Sequence, residues 1–144
     1  MAYQARRKEV YEEEFQLVKA DGTIAHTLHV SLDADSVVRK LSEKYLELVH
    51  AMQEVQSIQK SDSQEELAKG LDVLGEAIVS LLEAVFGEAD TKTIVVFYDN
   101  RYMEMCQEVV PFITQVVIPK VRKISQENRK ALLSEYGKRP RRKE

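Results

Sequence analysis

The chain has 144 residues and a net charge of −3, with 44% hydrophobic and 31% charged side chains, which suits one domain with its own core and excludes two comfortable ones. Five glycines and three prolines are too few to punctuate a many-stranded β fold, so a mainly α protein is expected. A single cysteine, Cys106, excludes a disulfide or zinc framework within one chain; no apolar run nears the roughly 18 residues of a membrane span, and Met1–Ala2–Tyr3–Gln4 lacks a signal peptide's apolar core, so a cytoplasmic location is expected.

Charge is unevenly placed. From residue 120 onward ten basic face three acidic side chains; before it eleven face twenty-one. An acidic body therefore carries a basic end. Residues 1 to 13 hold little that is apolar, and a frayed start is expected there. Phe15, Leu17, Ile24, Leu28 and Val30 then alternate with polar neighbours around Asp21–Gly22, a strong local signal for a β-hairpin spanning about 14–30. A two-residue loop would pair Lys19 with Ile24, Leu17 with His26 and Phe15 with Leu28. Such a hairpin is marginal alone, so its apolar side must lie on helices or on another chain. His26 and His29, three apart in a strand, point to opposite faces and do not suit one metal.

Ser31, Asp33 and Asp35 offer caps for a helix whose apolar positions run Val38, Leu41, Tyr45, Leu48, Met52 and Val55, ending near Gln59. Overlapping capping boxes, Ser61 with Gln64 and Ser63 with Glu66, open a second helix with the stripe Leu67, Leu71, Leu74, Ile78, Leu81 and Val85. A short polar link makes the two antiparallel. Gly70 and Gly75 cost about 1 kcal/mol each inside this helix; close approach of another backbone and chance drift both account for them. Gly87 supplies the positive φ that ends the helix.

Ile94–Val95–Val96–Phe97–Tyr98 reads either as a buried strand or as a single helical turn capped by Thr91, the second being preferred. Asp99–Asn100 is expected to cap a long last helix with Met103, Cys106, Val110, Ile113, Val117, Val121 and Ile124 on its apolar side. Pro111 and Pro119 within it predict a bend or break. The fold expected is thus a small helical bundle of two antiparallel helices, a kinked long C-terminal helix and an N-terminal hairpin, forming one domain over 1–137. The remaining residues, 138–144, form a flexible basic tail with Lys138, Arg139, Arg141, Arg142 and Lys143.

The run through Val109, Phe112, Ile113 and Val116 is apolar nearly all round. It is either core or a surface for self-association or another protein, and these four residues are the expected contact surface. No phosphate loop, metal-ligand cluster or nucleophile elbow occurs, so no catalytic, cofactor or metal residue is assigned and an enzyme is not expected. The tail lacks interleaved aromatics, which argues against tight nucleic-acid binding.

Residues 60 to 144 resemble the tail assembly chaperones of long-tailed bacteriophages and prophages. The pieces that carry the likeness are Leu82–Val85–Phe86–Gly87–Glu88, then Phe97–Asp99–Asn100, then Tyr136–Lys138–Arg139–Pro140–Arg141–Arg142. Tyr98 stands where that family usually has a glycine, and Gly137 where it has a Ser/Pro–Asn step. The resemblance implies a non-virion assembly factor in the cytoplasm of the bacterial host. As an oligomer it would coat the tape measure protein, keep it soluble and hand it to tail tube subunits. The alternative is a regulatory or adaptor bundle contacting nucleic acid through its basic tail.

Overall fold

A computed structural model describes residues 2–6, 10–59 and 64–137. Helix takes up 73% of the chain, with one antiparallel hairpin at the N-terminus, which is the mainly α bundle that the composition implied. The hairpin is β1 (Tyr11–Val18) and β2 (Ile24–Leu32), longer at both ends than expected. Residues 11–13, expected to fray, are in β1, and Tyr11 is buried. Leu17 pairs with His26 and Phe15 with Leu28 as the alternation required. The tip differs: Val18, not Lys19, faces Ile24, and Ala25 is left over as a bulge.

The reason lies in the turn. The Lys19 carbonyl accepts from the Gly22 amide at 2.9 Å, the Lys19 amide donates to the Thr23 carbonyl at 2.8 Å, and Gly22 takes φ 89°, a longer loop than the two-residue turn. Asp21 Oδ1 accepts from the Thr23 hydroxyl at 2.6 Å and the Thr23 amide at 2.9 Å, which holds its carboxyl below the ordinary value. The bulge turns Ile24 outward, where it is 55% exposed beside Val18.

Helix α1 (Ala34–Gln59) starts at Asp33, whose Oδ1 accepts from the Asp35 amide at 3.2 Å. Its buried face is Ala34, Val37, Leu41, Leu48, Ala51 and Val55, with Val38, Tyr45 and Met52 packed at the margin. Helix α2 (Gln64–Phe97) buries Leu74, Ile78, Leu81, Leu82 and Val85 against it. Each fully buried aliphatic side chain here contributes about 1.5–3 kcal/mol. The capping boxes at Ser61 and Ser63, and the basic tail, lie outside the described residues.

Gly87 has the expected positive φ, at φ 82° and ψ 169°. It ends the first of two helical stretches as expected, but the second follows directly, with no connector between them. Helical hydrogen bonding resumes at once, and Ile94–Phe97 is helix, not strand. The glycine is a sharp corner that folds the second part of α2 back, bringing Tyr102 onto Gly75. Gly75 and Gly70 are both approached closely, though by side chains rather than by a backbone: Tyr102 over Gly75 and Ile58 over Gly70.

The last rod comprises α3 (Tyr102–Glu108), α4 (Val110–Phe112), a π-helical turn (Ile113–Val117) and α5 (Ile118–Gly137), bent by about 34°. Asp99 and Asn100 do not cap it. Both are left-handed (φ 51° and 61°) and close the end of α2, their amides donating to Val96 and Val95; Arg101 takes the cap position without a side-chain bond. Short polar side chains tolerate this conformation best after glycine. Pro111 sits in the first turn of α4, where its missing amide costs nothing. Pro119 would crowd the carbonyl four residues back, and the wider turn over Ile113–Val117 takes up that misfit.

Three phenylalanines tie hairpin to helices. Phe15 lies 5.3 Å from Phe86 and 4.7 Å from Phe112, and Phe86 stacks on Phe112 at 6.0 Å between centroids. Lys120 Nζ reaches Glu13 Oε1 at 2.8 Å. Along α1, Arg122 donates to Ser42 and Asn128 to Asp35, so α5 runs antiparallel to α1. One contiguous core joins all these elements.

Candidate functional site

The four residues expected to form a partner surface do not do so together. Val109 and Ile113 are fully enclosed by their own chain, which corrects their assignment, while Phe112 and Val116 are half-buried. The physical reason is the hairpin. It lies over the last rod through Phe15 and, with the folded-back α2, supplies cover that helix periodicity could not reveal. The break at Val109 also shifts the phase of the rod, so that Met105 is fully buried and Met103 is 49% exposed.

Apolar surface is instead left open at the hairpin tip. Val18 and Ile24, directly paired across the strands, are 48% and 55% exposed. Beside them a cleft of about 460 Å³ opens between the tip and the α2–α3 corner, lined by Val18, Lys19, Phe97, Tyr98, Arg101 and Glu108 among others. Asp99, left-handed at φ 51°, lines its far side next to the equally left-handed Asn100, and a backbone of this kind in a residue other than glycine costs about 1–3 kcal/mol and tends to persist where a surface is used. Phe97 makes edge contacts with Tyr98 at 5.0 Å and with His26 at 6.5 Å, so the wall formed by Phe97 and Tyr98 is aromatic.

Two cations, Lys19 and Arg101, and three carboxylates, Asp99, Glu104 and Glu108, rim the cleft. Arg101 Nη1 approaches Glu104 Oε2 at 3.7 Å. Burial of the Tyr98 ring, then the nearby Glu108 and Glu104 charges, raise its phenol above the ordinary value, so the ring stays neutral at physiological pH. A slight excess of negative charge disfavours phosphates, whereas aromatic walls, exposed aliphatics and charges of both signs suit a polypeptide segment.

Sequence reasoning missed this site for two reasons. Alternation alone puts Ile24 on the inward face, because it carries no sign of the bulge at Ala25, and Asp99–Asn100 reads as a cap. The available signal was the Asp–Asn pair itself, since these residues are enriched in the left-handed region. Cys106 is half-buried and burial pushes its thiol up to about 11, which makes it a poor nucleophile. Among the described residues no group of three His, Cys, Asp or Glu could hold a metal ion, and no helix is long and apolar enough to cross a membrane. No protein-family model, curated protein or solved structure matches the chain.

Proposed function

We propose that this chain is a non-catalytic polypeptide-binding module acting as a phage or prophage tail assembly chaperone, holding the tape measure protein soluble and recruiting tail tube subunits. The observation that supports this reading best is the exposed Val18–Ile24 pair beside an aromatic cleft of mixed charge. A long helical client exposes apolar side chains before it is enclosed, and a mostly acidic body with a small apolar mouth can cover such a segment without precipitating. The resemblance over residues 60 to 144 supplies the identity of the client.

The test is co-expression with the product of a neighbouring long helical reading frame. Wild-type protein should retain the client in the soluble fraction, and Val18→Lys with Ile24→Lys should lose most of it while keeping the helical circular dichroism spectrum. Equal retention by the variant, or no retention by the wild type, rejects the reading. The nucleic-acid alternative predicts DNA affinity that falls steeply with salt; its tail lies outside the described residues.

A further inference from the structure

We infer that this chain associates with second copies of itself head to tail, the basic end of α5 on one molecule lying in the groove between α1 and α2 at the far end of the next. The contacts Arg122–Ser42 and Asn128–Asp35 set α5 antiparallel to α1. Past Asn128 the helix therefore continues beyond the first residues of α1. Its remaining nine residues, Arg129–Gly137, project by roughly 14 Å at the α-helical rise. Leu132 and Leu133 on this arm are 56% and 63% exposed. Lys123, Gln126, Glu127, Arg129, Lys130 and Leu133 line a shallow hollow of about 420 Å³ along it, three cations against one carboxylate.

At the opposite end of the molecule, α1 and α2 enclose a groove of about 330 Å³ lined by Glu54, Ile58, Glu66, Lys69, Gly70 and Val73. Its apolar floor exists because Gly70 has no side chain there and Ile58 leans over it, with Cδ1 2.9 Å from where a Cβ would be. Val73 is 54% exposed at its edge. Exposed Glu65, Asp72 and Glu76 extend the negative charge along the same stretch of α2.

Charge decides which occupant fits. Two arms laid against each other would oppose Lys123, Arg129 and Lys130, with Glu127 their one carboxylate, to their own copies, whereas the arm on the groove sets a net positive surface against Glu54 and Glu66, with Lys69 the groove's one cation, and leucine against Ile58 and Val73. Because the two patches lie at opposite ends of one molecule, the contact is heterologous and leaves each complex with a free arm and a free groove. Assembly is then open-ended and grows with concentration. This inference stands independently of the chaperone reading.

Sedimentation velocity on the full chain tests it. Wild type should show an average mass that rises with concentration and falls in 1 M NaCl, where the screening length is about 3 Å. Leu132→Glu with Leu133→Glu on the arm, and Val73→Glu in the groove, should each give monomers. Their equimolar mixture should stop at dimers, since one working arm and one working groove remain. As a second arm of the experiment, Arg129→Glu with Lys130→Glu, and Glu54→Lys, should each weaken assembly and restore it when combined in one chain. A wild type that stays monomeric overturns the inference. So do oligomers indifferent to both changes, loss on changing the arm but not the groove, or a mixture that remains monomeric.

Discussion

Gly75 lies directly under the ring of Tyr102: a Cβ placed on it would come within 2.6 Å of Cε2 and 2.9 Å of two further ring atoms. That contact holds the start of α3 against the middle of α2, and it requires the hydrogen at position 75. Gly75→Ala should therefore destabilise the protein by about 1–2 kcal/mol despite its better helix propensity, because the ring must be displaced. Gly70→Ala meets the end of the Ile58 side chain, which can rotate away, and makes an ordinary contact with Val55 Cγ2 at 3.5 Å, so it should be neutral or stabilising by up to about 1 kcal/mol. Urea denaturation of the two variants side by side checks the opposite signs.

Gly87 differs from both. Nothing lies within 4 Å of a Cβ there, yet its φ of 82° with ψ 169° is a conformation that side chains resist. Gly87→Ala should cost about 1–3 kcal/mol through the backbone alone. An unchanged urea midpoint would mean that position 87 does not hold a positive φ.

Thr91 is 2% exposed and its hydroxyl has no hydrogen-bond partner among the described residues. In a regular helix that hydroxyl bonds to the carbonyl four residues back. Here that residue is Gly87, which departs from helical geometry. Thr91→Val keeps the shape and removes an unpaired buried group, so thermal unfolding should show stabilisation of about 1 kcal/mol. A loss of stability would reveal a partner for the hydroxyl.

Phe112 packs on Phe15 and Phe86 at the junction of hairpin and last rod. Phe112→Ala should cost about 2–4 kcal/mol, below or within the range for a large core truncation because the ring is half-buried. Phe112→Glu should lose the native fold. It is therefore unsuitable as an interface probe, and near-UV circular dichroism distinguishes an unfolded variant from a folded one that no longer associates.

Alkaline stability should fall in two overlapping steps. Burial raises the Cys106 thiol from 9.0 to about 11; burial, then the Glu13 charge and its hydrogen bond, raise the Tyr11 phenol from 10.0 to about 12. Both groups are neutral when protonated, and the unfolded chain ionises first. Their contribution is thus intact below pH 9 and is lost as pH climbs from 9 to 11 for the thiol and from 10 to 12 for the phenol. Cys106→Ala should remove the lower part of the fall in urea midpoint; an identical profile would show that the thiol is not the cause.

The sequence alone determined the parts that depend on local pattern. Alternation around Asp21–Gly22 specified the hairpin and most of its register, three-four spacing specified α1 and α2, Gly87 specified a positive φ, and Pro111 and Pro119 specified a disturbed last helix. These follow because periodicity and backbone tolerance are properties of neighbouring residues. Only the tertiary structure decided what covers what. The apolar run at Val109–Val117 states that something must bury it, but whether that is a hairpin of the same chain or another molecule depends on where the corner at Gly87 sends the chain. The open mouth at Val18 and Ile24 likewise exists because a bulge at Ala25 turns one side chain over, and a shift of one residue exchanges the two faces of a strand.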